Sequence, residues 1–310
     1  MLKGESMPKK KLTVITNRLL DTVVKMQQAD HKPDIGFTPH ALVQAALPYR
    51  NSKKLEAMDA WSVQNGNFGL TIRPGWDRKA GAHIGYPTGA IPRLLLYWLT
   101  TEAKLKQSRR LELGGSLREF LLKLGMNANN GSGKRSDKRR VREQMQRLFR
   151  ATISFDYTVN EKEHWLDMQV APKGQVMWSE MYPDAPTLFD NWIELSEYFY
   201  EAIVQKAVPI NMDVLPGIHD RPMALDLYTW ISYRAWTAYR SNKAQRVPWP
   251  SLYQQLGSSY TRVRAFRDQA KENLLIIQHL YPDLKLDESD NCLIIKPSRP
   301  SVPERLLEGS

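Results

Sequence analysis

The sequence predicts an α+β fold made of two tandem winged-helix domains related by internal duplication. The tripeptide Arg-Val-Arg stands near the head of two helical segments, 138–149 and 260–274. Each segment follows a helix centred on a Trp, and each is followed by β-strand patterns. The chain has 310 residues, of which 42% are hydrophobic, with 9 Trp and 13 Tyr. That content is enough to bury sizeable cores and argues against a disordered chain.

The leading helix of each unit is predicted over 91–103 and 221–235. The two units keep the same spacing, because 27 residues separate Trp98 from Gly125 and 27 separate Trp230 from Gly257. Both glycines suit the left-handed position that ends a helix. The equal spacing favours a true duplication over a chance resemblance of two helices.

Local signals mark where the short second helices begin. Ser116 and Glu119 form a capping box, in which the two residues satisfy free N–H groups at a helix start. Pro250 suits the first turn of the corresponding helix in the second unit. We therefore expect both short helices to form.

Strand patterns follow each Arg-Val-Arg helix, at 152–159, 164–171 and 175–181 in the first unit and at 284–287 and 292–296 in the second. A helix-turn-helix followed by a hairpin is a winged helix. The predicted divisions are an N-terminal segment over 1–35, winged-helix domains over 36–185 and 186–300, and a tail over 301–310. The N-terminal segment contains an amphipathic helix that either binds a partner or packs on the fold.

The charge is clustered as well as positive, with a formal net charge of +11. Residues 101–150 hold 14 Lys and Arg against 5 Asp and Glu, 151–200 hold 2 against 9, and 221–271 hold 9 against 2. Each basic block contains one Arg-Val-Arg helix. This pattern favours an anionic partner, either nucleic acid or, less often, a membrane surface.

Each Arg-Val-Arg helix has two faces when 100° is assigned to every residue. The apolar faces hold Val141, Met145, Leu148 and Phe149 in the first helix and Val263, Phe266, Ala270, Leu274 and Ile277 in the second. The predicted DNA-binding residues are Lys134, Arg135, Lys138, Arg139, Arg142, Gln146, Tyr260, Arg262, Arg264, Arg267 and Lys271. A solvated charged face is the alternative for any single residue of this set.

Roles within this set follow from side-chain chemistry. The planar fork of Arg bonds guanine O6 and N7 together, which makes Arg139, Arg142, Arg264 and Arg267 the base-reading candidates. Tyr260 and Lys271 are the candidates for phosphate contacts. Lys134 and Arg135, in the loop over 127–137, are expected either to contact phosphate or to belong to a mobile arm, and a disordered loop tip is the alternative.

The pattern of reactive residues indicates no enzyme. No His-x-His pair and no H-E-x-x-H motif occurs among the six histidines, so no catalytic residue and no metal ligand is predicted. Cys292 is alone and cannot form an internal disulfide. No cofactor, membrane span or signal peptide is expected, and the protein is predicted to be cytoplasmic.

Several blocks of sequence resemble one known family. They are ALVQAALPYRN (41–51), GYPTGAIPRLLLYWLTTEA (85–103), LGGSLREFLLKLGM (113–126), RRVREQMQRLF (139–149), MALDLYTWISYRA (223–235) and VPWPSLYQQLG (247–257). Together they are similar to the plasmid-encoded RepA family of replication initiators, in the same order over about 40–275.

The resemblance implies a protein with tandem winged-helix domains that binds iterons, the repeated sites of a plasmid origin, in double-stranded DNA. It further implies engagement of the host initiator and replicative helicase, formation of a homodimer off DNA, and repression of the protein's own promoter. The resemblance assigns a functional role only to the two basic helices, at RRVR (139–142) and TRVRAFR (261–267). A transcriptional regulator that uses the same helices is the alternative, and a DNA-nicking enzyme is a third.

Overall fold

The structure is a computed structural model that describes residues 17–28, 31–126, 137–160, 162–178, 190–257, 260–289 and 291–306. The predicted DNA contacts of Lys134 and Arg135 lie outside the described residues. Helices and antiparallel strands are mixed along the chain, which confirms the α+β class.

The N-terminal part combines one amphipathic helix with short strands. Its elements are α1 (Asn17–Met26), β1 (Ile35–Pro39), α2 (His40–Gln44), α3 (Lys53–Glu56), β2 (Trp61–Asn65), β3 (Phe68–Arg73), β4 (Trp76–Asp77) and β5 (Ala82–His83). Leu19 and Thr22 of α1 are buried, whereas Leu20 and Val24 are exposed. Helix α1 therefore packs one face on the fold.

The first unit follows with three helices and four strands. They are α4 (Ala90–Lys106), β6 (Arg110–Glu112), α5 (Leu117–Lys123), α6 (Asp137–Phe149), β7 (Thr152–Val159), β8 (Lys162–Gln169) and β9 (Lys173–Gln175). The Ser116 hydroxyl accepts from the Glu119 N–H at 3.2 Å, which confirms the predicted cap of α5. Gly125 has φ +69°, the left-handed conformation predicted after that helix.

The second unit follows a connecting stretch of helices and strands. The elements are β10 (Trp192–Glu194), α7 (Glu197–Val204), β11 (Ala207–Asn211), α8 (Leu215–Ile218), α9 (Pro222–Ser241), β12 (Gln245–Pro248), α10 (Trp249–Leu256), α11 (Val263–Leu280), β13 (Leu286–Ser289) and β14 (Cys292–Ile295). Pro250 lies in the first turn of α10, as predicted.

The prediction for Gly257 was wrong, because its φ is −91° and not left-handed. The glycine is needed for a different reason. A Cβ at this position would stand 2.4 Å from both the carbonyl oxygen and the ring of Tyr253. Close approach of the preceding helical turn, and not a turn conformation, therefore favours Gly257.

The order of helix, strand, short helix, long helix and hairpin occurs twice, but the strands pair differently. In the second unit, β12 pairs with β14 of the hairpin. In the first unit, β6 pairs with β10, and the β7–β8 hairpin joins β3 in a four-stranded sheet. The tandem winged-helix duplication therefore stays a prediction, supported by element order and not by sheet pairing.

Strand pairing also crosses the predicted boundary between residues 185 and 186. Strand β10 lies between β6 and β9 and completes the sheet of the first unit. Strand β1 pairs with β11, which lies beyond the boundary. The sequence pattern of a short strand does not show its partner, because backbone N–H and C=O groups pair with any neighbouring strand that offers the same groups.

The core is centred on α4 and α9, which are buried on nearly all sides of their N-terminal halves. Helices that are apolar all round pack inside a protein. Trp98 and Trp230, which the predicted duplication makes equivalent, are both buried. None of the helices in the described ranges combines the length and the apolar character that crossing a membrane requires.

Candidate nucleic-acid interface

Helix α6 buries the face that the sequence predicts to be apolar. Val141, Met145, Leu148 and Phe149 are all buried, and none is more than 6% exposed. This packing fixes the rotation of the helix about its axis. The opposite side is thereby held at the surface of the first unit.

The polar face of α6 is rich in cations. Arg139 and Gln146 are exposed, and Lys138 and Arg142 are half-buried. One turn after Gln146, Arg150 is also exposed, and its Nη2 donates to the Trp76 carbonyl at 2.7 Å. Positions 142, 146 and 150 recur every four residues and share one side of the helix.

A cavity of about 310 Å³ borders this polar face. Arg142, Gln146 and Arg150 line one side, and Lys173 and Gly174 line another. Lys173 Nζ lies 3.5 Å from Glu194 Oε1. The sequence predictions missed Arg150 and Lys173 as members of this surface. The four-residue periodicity was the signal for Arg150, whereas Lys173 is brought here by the pairing of β9 with β10.

Helix α11 repeats the arrangement of a buried and an exposed face. Phe266, Ala270, Leu274 and Ile277 are buried and Val263 is half-buried. Arg262, which precedes the helix, and Arg264 are exposed. Two of the base-reading candidates, Arg139 of α6 and Arg264 of α11, thus lie at the surface.

Arg267 and Lys271 are more constrained than their neighbours on α11. Arg267 is half-buried, with its Nε inaccessible to solvent and without a hydrogen-bond acceptor among the described residues. Lys271 Nζ lies 2.5 Å from Glu288 Oε1 on the β13–β14 hairpin and 5.9 Å from the Trp249 ring. A phosphate contact by Lys271 would therefore compete with Glu288.

Tyr260 lies in an aromatic cluster at the start of α11. Its ring meets Tyr49 at 6.4 Å and Phe266 at 5.8 Å, edge to face in both pairs. Burial raises the pKa of the Tyr260 hydroxyl, while nearby Arg50 opposes the rise. The ring therefore contributes to packing, and the predicted phosphate contact could come only from the hydroxyl.

A second basic cleft lies beside Tyr260 and was not predicted. Its volume is about 720 Å³, and its lining includes Arg50, Lys54, Tyr260 and Thr261. Arg50 and Lys54 are exposed. The stretch RNSKK at 50–54 carries three cations, and that density was the signal from which the cleft could have been found.

The hairpins carry mainly acidic groups, unlike the helices. Asp287 Oδ2 lies 2.9 Å from Lys296 Nζ, and this hydrogen bond lowers the pKa of Asp287. On the first hairpin, Glu163 and Asp167 are accompanied by Trp165, which is 72% exposed. The positive charge available to an anionic partner is therefore concentrated on the helices and not on the hairpins.

A family model described as plasmid encoded RepA protein matches residues 86–250, which is more than half of the chain. The chain belongs to the plasmid-encoded RepA family. The match spans α4 to the start of α10, and therefore includes α6 and excludes α11. Membership in the RepA family supports a role in the initiation of plasmid replication, at the plasmid origin. No curated protein matches the sequence.

Proposed function

We propose that this RepA-family chain binds the repeated sites of its plasmid origin as double-stranded DNA, through the polar faces of α6 and α11. In this proposal it acts without catalysis and recruits the host initiator and helicase. It forms a homodimer when it is not bound to DNA. The major groove is about 12 Å wide and accepts one such helix.

One observation carries the proposal: two helices each bury an apolar face and turn arginines outward, in a chain of the RepA family. Arginine forks suit guanine edges, and nearby cations such as Lys173 and Arg50 suit phosphates. A protein that needed charge only for solubility would not require it to be gathered on two helix faces.

Arg142→Ala and Arg267→Ala test the proposal directly. Each change removes one predicted guanine contact, and we expect it to weaken binding to an origin repeat by about 1–3 kcal/mol and to relax specificity at one base position. Fluorescence-anisotropy titration against the origin repeat and a scrambled duplex measures both effects.

Arg240→Ala is the matched control, since it removes an equal charge from the end of α9, where Arg240 contacts Glu304 at 3.3 Å. It should weaken binding only slightly and equally for both duplexes. If Arg142→Ala and Arg267→Ala behaved like Arg240→Ala, the two arginines would not be base readers.

The same helices would serve a transcriptional repressor, and footprinting separates the two roles. An initiator protects several repeats in the origin, whereas a regulator alone protects only promoter DNA. Incubation of supercoiled origin plasmid with the protein and Mg²⁺ tests the absence of catalysis. A relaxed product would contradict the non-enzymatic proposal.

A further inference from the structure

A buried ion pair joins the leading helices of the two units. Arg93 Nε donates to Asp226 Oδ1 at 2.7 Å, and Arg93 Nη2 donates to Asp226 Oδ2 at 2.7 Å. Arg93 belongs to α4 and Asp226 to α9, 133 residues away along the chain. Both side chains are almost fully buried, at 1% and 6% exposure. A bidentate pair of this kind fixes the angle as well as the distance between its partners.

The same guanidinium holds a third segment, residues 43–49, which we call the strap. Arg93 Nη2 donates to the Leu47 carbonyl at 2.7 Å, and its Nη1 donates to the Gly89 carbonyl at 2.6 Å. The Tyr49 ring stands 4.9 Å from the guanidinium carbon. One buried cation thereby joins α4, α9 and the strap.

From this point a short series of contacts leads to α6. The Gly89 N–H donates to the carbonyl of Pro48 in the strap at 3.1 Å. The neighbouring Thr88 N–H donates to Gln144 Oε1 of α6 at 2.9 Å. Arg147 of α6 packs so closely on Gly85 that an added Cβ would lie 3.1 Å from its guanidinium. The turn before α4 therefore rests directly on α6.

A second series leads from the strap to α11. Tyr49 contacts Tyr260 edge to face, and Tyr260 contacts Phe266 of α11 in the same manner. Gln255 Nε2, on α10, donates to the Val43 carbonyl at 2.9 Å. The strap therefore contacts both α10, through Gln255, and Tyr260, which stands just before α11.

We propose that Arg93, Asp226 and the strap form a clamp that fixes the separation of the α6 and α11 polar faces, and so determines which spacing of half-sites in origin DNA the chain accepts. The inference rests on the proposed function. Buried ion pairs contribute little net stability compared with apolar groups of equal volume, so a role in orientation is separable from a role in stability. A rigid link raises the effective concentration of the second helix only where the spacing matches.

The test uses the full chain with Arg93→Met and Asp226→Leu together, which removes both charges and retains volume. The probes are the origin repeat defined by footprinting, each half of it embedded in neutral sequence, and full repeats with one to five base pairs inserted between the halves. We expect half-site affinity within about twofold of wild type and full-site affinity reduced about 10- to 100-fold, the advantage that linkage supplies. The double variant should bind the sites with inserted base pairs nearly as well as it binds the natural site.

Two further variants keep the test decisive if the double variant does not fold. Gln144→Leu removes the hydrogen bond between α6 and the Thr88 N–H, at a half-exposed position. It should broaden spacing tolerance without altering half-site affinity. Tyr228→Phe is the control, because it removes hydrogen bonds to Asn211 from the same buried helix, α9, away from the strap. It should leave the spacing preference unchanged.

The outcomes separate the clamp from the function on which it rests. If wild type does not prefer the origin repeat over a scrambled duplex, the proposed function fails. If wild type shows a sharp spacing preference that the folded double variant or Gln144→Leu retains in full, the clamp is overturned and the DNA-binding proposal stands.

Discussion

The charged residues of this protein have different roles in the interior and at the surface. Arg93 is buried and serves packing between helices, whereas Arg139 and Arg264 are exposed on helix faces. Asp213 belongs with the buried group: it accepts the Asp34 N–H at 2.9 Å and contacts Lys25 at 3.1 Å and His31 at 2.8 Å. Through these contacts a single carboxylate ties the N-terminal segment to the turn before α8.

The protonation of Asp213 should make stability depend on pH. Burial alone would raise its pKa, but the Asp34 N–H, Lys25 and His31 outweigh burial, and the pKa falls below the ordinary value of 3.8. Because the pKa is lowered on folding, ionised Asp213 stabilises the fold at pH values above 3.8. This stabilisation is lost as the pH falls through the folded-state pKa. We expect Asp213→Asn to lower the free energy of unfolding by about 1–3 kcal/mol at pH 7. The difference should narrow below about pH 4.

Urea unfolding across pH 3 to 7 measures this difference. Asp283→Asn, at an exposed position, is the control and should change stability by less than about 0.5 kcal/mol. An Asp213→Asn deficit of equal size at pH 3 and pH 7 would show that the charge is not responsible.

At the scale of elements, each candidate recognition helix is governed by the neighbours that hold it. Helix α6 is fixed by its buried face and by the turn before α4. Helix α11 is fixed by its own buried face and by the aromatic cluster of Tyr260. The hairpin of the second unit adds an acidic group, Glu288, that neutralises one cation of α11.

Glu288→Gln should release Lys271 for phosphate. Because the ion pair is half-exposed, we expect little change in stability but a steeper salt dependence, with the slope of log K against log salt larger by about 1. Binding isotherms of a scrambled duplex at several salt concentrations measure the slope. Adding Lys271→Ala to Glu288→Gln should abolish the gain. A gain that survives would assign it to another cation.

Packing of α1 can be tested with adjacent leucines. Leu19 is 2% exposed and its Cδ1 would lie 3.3 Å from a Cβ added at Gly217 of α8, whereas Leu20 is 51% exposed. Leu19→Ala should cost about 2–4 kcal/mol of unfolding free energy and Leu20→Ala less than about 0.5. Thermal or urea unfolding compares them. Equal and small effects would mean that α1 is only loosely attached.

Periodicity predicted the buried faces of both helices well, since Val141 and Phe266 recur with their neighbours at helical spacing and no other arrangement buries them. Periodicity could not predict that Lys271 meets Glu288, or that Lys173 lies beside Arg142. Those contacts depend on which strands pair, and a short strand such as β9 carries no mark of its partner. The prediction of a left-handed conformation at Gly257 was wrong for a related reason. A glycine can be required by the close approach of another residue, here Tyr253, as well as by a turn.

At the scale of the whole molecule, the two units share one core. Strand β1 pairs with β11, α1 packs on α8 and α11, and the strap lies between α4 and α11. The two polar faces are therefore parts of one body and not beads on a flexible linker.

A single chain should accordingly occupy a site of about 20 base pairs, two helical turns. Sedimentation of the complex should give one chain per repeat, and affinity should fall about 10³- to 10⁵-fold between 50 and 200 mM salt if six to ten phosphates are contacted. Shortening the duplex to one turn should lower affinity sharply. Two chains per repeat, or affinity insensitive to salt, would contradict this arrangement.

The strap has a consequence for how the protein is made. Val43 and its partner Gln255 are 212 residues apart. At 5–20 residues per second, a ribosome leaves roughly 10 to 40 s between their syntheses. Throughout that interval the strap lacks two contacts with α10, the bond from the Ala46 N–H to the Gln255 carbonyl and the bond from Gln255 Nε2 to the Val43 carbonyl. We therefore expect the apolar run from Ala45 to Leu47 to be protected in the growing chain, by a chaperone or by a temporary fold, until α10 has been synthesised.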